Sequence, residues 1–584
     1  MGMLNLYDWG LPNQAEHLVR YKDNEPLYNM ARSLWNSLDS ASMYFLATAI
    51  AVAVVVVCYY YYGYNKLPGR KYRIRHWVIW LVITAVATIG LTMILGNAMV
   101  SSTLKEQVGF ILRISLINGL YASAIYFRQI VMAKVFVFCI GGTGLRVMKS
   151  VVMMAAAGMR TSGYDIVPVI IDPHVDLEEN TILTTTIGDY IKVYKNATTD
   201  RAQQLSAPSG FFNTKIIRLE DLDNQQNSVS TSMAEKKTFG QYLNVGKLAN
   251  NDVNKFLIQT LYSQENLNNS LSVGFKGNPN VGTVVLNEMI SGADWYDAFR
   301  RHCEKGDRIF IISSIFGGTG ASGYPLLEKK IRDDQAHPQV QSAVMGAVTV
   351  LPYYSLDDPT TSGSDIDSSN FYTKTKAALS YYEKSVKSDF LYYVGEQSLR
   401  ANYKNNEKEQ KDTAHLVELV AASALFDFLG RPTPDTPQAM TRAIRENVDA
   451  LDMSSLGEGY KPMVKDIANM MIFDLLLDIL PTERRFPLKK TRGLNKDFYQ
   501  DQPFGALKTF VNQYHNWYVE LSENNRGFSP LNKILKGEKL SNIVKGITLK
   551  AKDESYYLLK MIEAGNKKDK TEHDNTLRYL LDFA

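Results

Sequence analysis

Twice in this chain a short apolar run leads into Gly-Gly-Thr-Gly. Lys134 to Ile140 (KVFVFCI) precedes Gly141, Gly142, Thr143 and Gly144, and Arg308 to Ser313 (RIFIIS) leads into Phe316 to Gly323 (FGGTGASG). Runs this short, rich in β-branched and aromatic residues, read as strands buried on both faces. The glycines then permit an abrupt turn into a helix, and the apolar spacing from Leu145 through Met159 is helical. Ile166 to Ile171 (IVPVII) reads as the next strand, ending at Asp172, with Pro168 as a weakening element. Strand, loop, helix and strand in that order predict a parallel α/β sheet.

Further along, Ala343 to Leu351 (AVMGAVTVL), ending at Pro352, and Phe390 to Val394 (FLYYV) add strands. His415 to Leu429 (HLVELVAASALFDFL) is expected to be a helix buried on most sides. The polar stretch from Asn180 to Asn268 is expected to be loops with short helices, and Leu356 to Ser369 an acidic, turn-rich loop. Pro432, Pro434 and Pro437 mark a boundary. Beyond it, Met463 to Leu480 and Phe504 to Leu521 have helical periodicity, and few runs look like strands.

Composition bounds what such a chain can be. Its 584 residues suffice for roughly three or four domains of ~100–200 residues. A 45% hydrophobic fraction and 21% charged residues exclude a disordered chain. The net charge of +4 gives no reason to expect a nucleic-acid partner. Cys58, Cys139 and Cys303 are too scattered for a disulfide framework or a CxxC metal site.

The apolar residues are unevenly spread. Met43 to Tyr62 (MYFLATAIAVAVVVVCYYYY) and Trp77 to Val100 (WVIWLVITAVATIGLTMILGNAMV) carry no charge. About 20 helical residues at ~1.5 Å each cover the ~30 Å hydrocarbon layer of a membrane. Val108 to Phe127 carries Arg113 and Asn118, but Arg113 lies near an end, where it can snorkel. Lys66, Arg70, Lys71, Arg73 and Arg75 fill the loop between the first two runs, which the positive-inside rule places in the cytoplasm. A cytosolic body then requires a third crossing. The expected organisation is an extracytoplasmic segment over 1–42, a membrane region over 43–131 with spans at 43–62, 77–100 and 108–127, and a cytoplasmic remainder.

The two glycine loops have the physics of phosphate binding. Glycine permits close backbone approach, and successive N–H groups at a helix N-terminus attract anions. No GxxxxGK[ST] sequence occurs, which excludes a Walker-type loop. A Rossmann dinucleotide site would begin at Gly142-Thr143-Gly144 and could use Asp172 on a ribose, but Val147 stands at its third glycine position and the second loop is left over.

Between the two loops lies Gly274 to Gly282 (GFKGNPNVG). Taken in order, the strand with GGTG, then GNPNVG, then the strand with GGTGASG resemble the tubulin/FtsZ superfamily of GTPases over about residues 134–430. The resemblance implies a tubulin/FtsZ-like, Rossmann-type parallel-sheet GTPase domain over 132–430. With the readings above, the chain is expected to be α/β, with N-terminal transmembrane helices ahead of that domain and a mainly helical C-terminal domain over 431–584. The resemblance implies that Gly141, Gly142, Thr143 and Gly144, with Gly317, Gly318, Thr319, Gly320 and Ser322, cradle phosphates. Gly277 and Asn278 would lie at the γ-phosphate, Asp172 would approach the nucleotide and its metal, Pro352 would end the strand before the ribose loop, and Asp412 and His415 would lie near the base. GTP or GDP and Mg²⁺ are the implied cofactors.

Departures accompany the match. Phe316 replaces the first glycine of the family's second loop, and Ala321 displaces the last. Leu145 stands where FtsZ has an Asn that reads guanine, and the glutamate and arginine of its ribose loop have no clear match. The family's catalytic loop reads like NxDFADV in FtsZ and is absent; Asp449 and Asp452 in ENVDALD are the candidate carboxylates for orienting water on a neighbouring subunit's nucleotide. The resulting expectation is a bacterial inner-membrane, multi-pass, GTP-binding switch or scaffold. Its partners would be membrane lipid, other membrane-complex proteins and further copies stacked head to tail. The alternatives are a non-hydrolysing structural component and a membrane-bound NAD-type oxidoreductase.

Overall fold

The strands form where the apolar runs are. In the computed structural model these are β1 (Lys134–Ile140), β2 (Asp165–Ile171), β3 (Arg308–Ser314), β4 (Val344–Val350), β5 (Tyr354–Leu356), β6 (Phe390–Glu396), β7 (Ala401–Tyr403) and β8 (Gln438–Ile444). The structure describes residues 133–173, 178–197, 210–222, 237–271, 275, 277–291, 293–356, 370–396, 401–403, 414–444, 460–482, 494–522, 531, 540–544, 554–567 and 576–583. All of them fall within one compact unit, Ala133–Asp200 with Ser209–Ala584.

One six-stranded, wholly parallel sheet has the order β2-β1-β3-β4-β6-β8, and β5 pairs with β7 separately. Beyond β2, Ile166 makes a parallel bridge to Ile216, with Ile217 N donating to Ile166 O at 2.9 Å. Pro168 is tolerated because it lies past that bridge, near the sheet edge. The chain therefore steps outward from β1 to β2 to the Ile216 segment, then returns to β3 on the other side of β1. This reversal between β1 and β3 is the topological switch point of a doubly wound sheet.

Helices cover both faces. They are α1 (Gly141–Ala156), α2 (Glu178–Ala197), α3 (Pro279–Ile290), α4 (Asp294–His302), α5 (Gly318–Arg332), α6 (Phe371–Ser385), α7 (Leu416–Gly430), α8 (Lys461–Leu477) and α9 (Gln502–Ser522), followed by Glu554–Lys567 and Thr576–Phe583. Phe136 and Phe138 of β1 meet Phe299 of α4, with ring centroids 4.9 and 5.1 Å apart. Val137, on the opposite face, is in register with Phe310 of β3, which packs on Phe428 of α7 at 5.3 Å. Gly346 of β4 makes room there: a Cβ would stand 2.7 Å from the Phe428 ring.

Two elements differ from expectation. The stretch from Asn180 to Asn268, expected to be loops with short helices, begins inside the 20-residue α2 (Glu178–Ala197). Its Leu183, Ile187, Tyr190, Ile191 and Tyr194 recur at helical spacing and are buried despite the polar composition around them. The Tyr190 ring joins Phe212 and Phe510 of α9 in a cluster with centroids 5.1–5.8 Å apart. β8 lies past residue 430, in the expected helical region, and completes the sheet edge alongside β6.

The expected membrane architecture is corrected. Among the described residues no helix is long and apolar enough to cross a membrane. The most apolar candidate, α7, has 15 residues and covers about 22 Å, short of a ~30 Å layer. Its apolar surface is buried in the core rather than facing lipid. The proposed spans at 43–62, 77–100 and 108–127 lie outside the described residues, as does the segment 1–42. The described fold is parallel α/β without a transmembrane helix, against the expected multi-pass inner-membrane location.

Candidate functional site

In an open parallel sheet, ligands bind beyond the carboxyl ends of the strands where the order reverses. Here that crevice lies beyond β1 and β3, the two strands that carry the glycine loops. β1 passes into α1 without an intervening residue, and Gly141 makes the turn at φ +72°, where an L side chain is strained. Ile140 is the N-cap of α1, so the N–H groups of Gly141, Gly142 and Thr143 in its first turn have no acceptor within the helix. α5 starts likewise: Gly317 is its N-cap, followed by Gly318, Thr319 and Gly320.

The loops touch one another. A Cβ on Gly141 would lie 3.2 Å from Thr319 Cβ and 3.5 Å from Gly320 N. One on Gly318 would lie 3.1 Å from both Gly277 N and Asn278 N. The structure thus brings the three glycine segments into a row. Gly277 takes φ +70°, and Asn278 N-caps α3 ahead of Pro279, its Nδ2 donating to Asn266 Oδ1 at 2.6 Å.

Not every candidate glycine faces the crevice. A Cβ on Gly144 would meet the Cys139 carbonyl carbon at 2.8 Å and Ile312 O at 3.0 Å, so its lack of a side chain lets α1 lie on the sheet. Gly320 is similarly close to the Ser314 backbone, at 2.7 Å. Ser322 is buried, with its Oγ 2.7 Å from Gly318 O and 3.2 Å from Thr319 O, so it braces the loop from behind. Asp172 follows Ile171, the register partner of Ile140, and so stands buried at the level of Gly141.

Behind the first loop is a buried polar cluster. Arg146 Nε donates to Glu418 Oε1 at 2.8 Å, Nη1 to Glu179 Oε1 at 2.9 Å, and Nη2 to the Tyr353 hydroxyl at 3.1 Å and Thr143 Oγ1 at 3.4 Å. Tyr353 donates in turn to Glu418 Oε1 at 2.7 Å. Glu418 Oε2 accepts the His415 N–H at 3.1 Å, and His415 Nδ1 accepts the Val417 N–H at 3.1 Å. One guanidinium therefore ties the first glycine loop, α2, the turn after β4 and the start of α7 together. Pro352 is buried in that turn, beside Tyr353.

His415, expected near a base, is fully buried as the N-cap of α7, its ring 5.1 Å from that of Tyr353. Burial, reinforced by the Arg146 charge, lowers its pKa to about 3. The imidazole is neutral at pH 7, and its acceptor Nδ1 puts the proton on Nε2. Asp412, Asp449 and Asp452 lie outside the described residues.

Among the described residues no group of three or more His, Cys, Asp or Glu side chains could hold a metal. A nucleotide-bound Mg²⁺ needs only one or two carboxylates, its other ligands being phosphate and water. Asp172, at the level of the first loop, fits that limited role.

Sequence reading missed Arg146, Glu179, Tyr353, Glu418 and Lys374. Lys374 of α6 donates from Nζ to Gly277 O at 2.7 Å. The three-residue step from His415 to Glu418 is a capping-box spacing and was the one legible signal. The other partners are brought together by folding across long stretches of chain. No protein-family model matches this chain, and no curated protein matches it.

Proposed function

We propose that this chain binds a nucleotide through its phosphates and acts as a tubulin/FtsZ-like GTP-binding switch or self-assembling scaffold. The observation that carries the reading is the mutual contact of Gly141 with Thr319 and Gly320 at the β1/β3 reversal. Two glycine-headed helices, whose first-turn N–H groups find no acceptor within their own helix, then start beside each other, where an anion gains from both. A lone Rossmann fingerprint accounts for one such loop, whereas a polyphosphate lying across the row accounts for both. The order of the loops and the resemblance of GNPNVG favour GTP, with Mg²⁺ at Asp172.

Ligand released from the purified full-length protein and identified by mass tests the reading. A guanine mononucleotide is expected. Gly141→Val, which forces a β-branched residue to φ +72° against Thr319, should lower nucleotide occupancy at least ten-fold. A released dinucleotide, or a Gly141→Val protein as fully loaded as the wild type, refutes it. Turnover lost in Asp449→Ala or Asp452→Ala would mark a GTPase. Stable retention of nucleotide without turnover would mark a non-hydrolysing structural component.

A further inference from the structure

We propose that the helix Val253–Leu261 is the contact of a symmetric, reversible dimer, packing antiparallel on the same helix of a second copy. The helix belongs to an excursion of the chain over 237–271 whose two ends are tied. Phe239 N donates to Asn269 O and Leu271 N to Lys237 O, both at 2.9 Å, beside an antiparallel bridge between Thr238 and Ser270. Within it, Tyr262 at the end of the helix packs on Phe239, with ring centroids 4.9 Å apart. Asp252 caps the start, its carboxylate accepting the Asn254 N–H at 2.8 Å. The helix is thus anchored at both ends, yet none of its residues is buried. Val253, Phe256, Leu257 and Leu261 are between 52% and 77% exposed, and they are four of the eight exposed large hydrophobic side chains among the described residues.

Steps of three, four and eight residues from Val253 put these side chains on one helix face. Thr260, in the same stripe, donates from Oγ1 to Phe256 O at 2.8 Å, so its hydroxyl is satisfied within the helix. Helices shorter than ~12–15 residues are marginal alone in water, so this nine-residue one gains from any surface that covers the stripe. The pattern fits a second copy. The row Val253, Leu257, Leu261 is symmetric about Leu257: an antiparallel neighbour sets Val253 against Leu261 and Leu257 against its own counterpart, with the helix dipoles opposed. No like charges meet, because the one charge in the helix, on Lys255, is turned back to Leu248 O at 3.4 Å and Asn250 Oδ1 at 2.8 Å. The exposed fractions of the four apolar residues amount to on the order of 500 Å² per copy, so the pair buries about 1,000 Å², which is the range of specific but reversible interfaces. A lipid-bound amphipathic helix is rich in Lys and Arg along its polar face, and this helix has one lysine. A two-fold contact closes on itself, unlike head-to-tail stacking, and does not depend on nucleotide.

The experiment is sedimentation equilibrium of the full chain without nucleotide, over a range of concentrations. The wild type should pass from monomer to dimer with a micromolar dissociation constant and go no further. Leu257→Glu sets two carboxylates at the two-fold axis and should weaken the dimer at least ten-fold. Because Leu257 is exposed, this variant should melt with the wild type when both are dilute. Leu257→Cys, oxidised with copper phenanthroline, should give a reducible, disulfide-linked dimer above the wild-type background, since only residues near the axis come within the ~4.4–6.8 Å Cα separation a disulfide needs. Gln259→Cys, exposed on the far side of the helix, should not. A wild type that stays monomeric, a dimer unaffected by Leu257→Glu, or equal cross-linking through Gln259→Cys overturns the proposal. So does a monomeric wild type that floats with phosphatidylglycerol vesicles when Leu257→Glu does not, which would assign the stripe to lipid.

Discussion

Replacing Arg146 by alanine should be among the most damaging single changes in this fold. The guanidinium is 8% exposed, and its partners Glu418 and Glu179 are 1% and 9% exposed. Truncation removes the hydrogen bonds to Glu418, Glu179, Thr143 and Tyr353 and leaves two buried carboxylates without the guanidinium behind the first glycine loop. Breaking a buried ion pair from one side typically costs ~3–5 kcal/mol, mostly the penalty on the charge left behind. Urea unfolding followed by circular dichroism would read this as a lower midpoint at unchanged slope. Adding Glu418→Gln removes one of the stranded charges, so the double variant should be more stable than Arg146→Ala alone. The coupling should be ~0.5–3 kcal/mol. Lys560→Ala, at the exposed Lys560–Glu563 pair, is the control and should leave the midpoint unchanged. An Arg146→Ala protein as stable as that control, or one further destabilised by Glu418→Gln, would refute the reasoning.

The lowered His415 pKa makes the fold acid-sensitive. Its ordinary value of 6.5 applies to the unfolded chain and about 3 to the native one, so the unfolded chain binds the extra proton between them. The stability involved is complete above pH 6.5 and falls as pH drops toward 3, by up to ~1.4 kcal/mol per pH unit. His415→Asn keeps an N-cap acceptor without the titration, so its loss of stability from pH 7 to 4.5 should be smaller than the wild type's; equal losses would count against the assignment. Gly144→Ala should destabilise by ~1–3 kcal/mol, because its methyl meets backbone atoms of Cys139 and Ile312 that have little room to move, and thermal melting would show it. Phe510→Ala should cost ~3–5 kcal/mol by opening the Tyr190–Phe212 cluster, and faster hydrogen exchange should appear in both α2 and α9.

The sheet was legible where burial is two-sided. β1, β3 and β4 are apolar over nearly their full length because helices cover both faces, and that composition announces itself in sequence. β8 (QAMTRAI) did not stand out: among the described residues it is an edge strand paired with β6, so it can keep polar residues, and it follows a proline-rich stretch that reads as a boundary. α2 was hidden because its apolar stripe is set among Thr, Asn and Lys, which dominate any reading by composition. The glycine loops were legible as phosphate chemistry, but not the division of labour within them. That Gly144 and Gly320 serve backbone packing follows from which strand lies beneath them. The Arg146 cluster joins residues as much as 272 positions apart, so no local pattern could report it.

The most direct test of the account replaces one glycine in each loop and measures nucleotide binding calorimetrically in the full chain. Gly141→Val and Gly318→Val act on different helices, and Gly318 has Gly277 N and Asn278 N within 3.1 Å of where its Cβ would be. The account predicts saturable binding of one GTP or GDP by the wild type, and at least ten-fold weaker binding by each variant, because one phosphate chain lies across both loops. Binding that is sensitive at Gly141 and indifferent at Gly318, or no binding by the wild type, would contradict it.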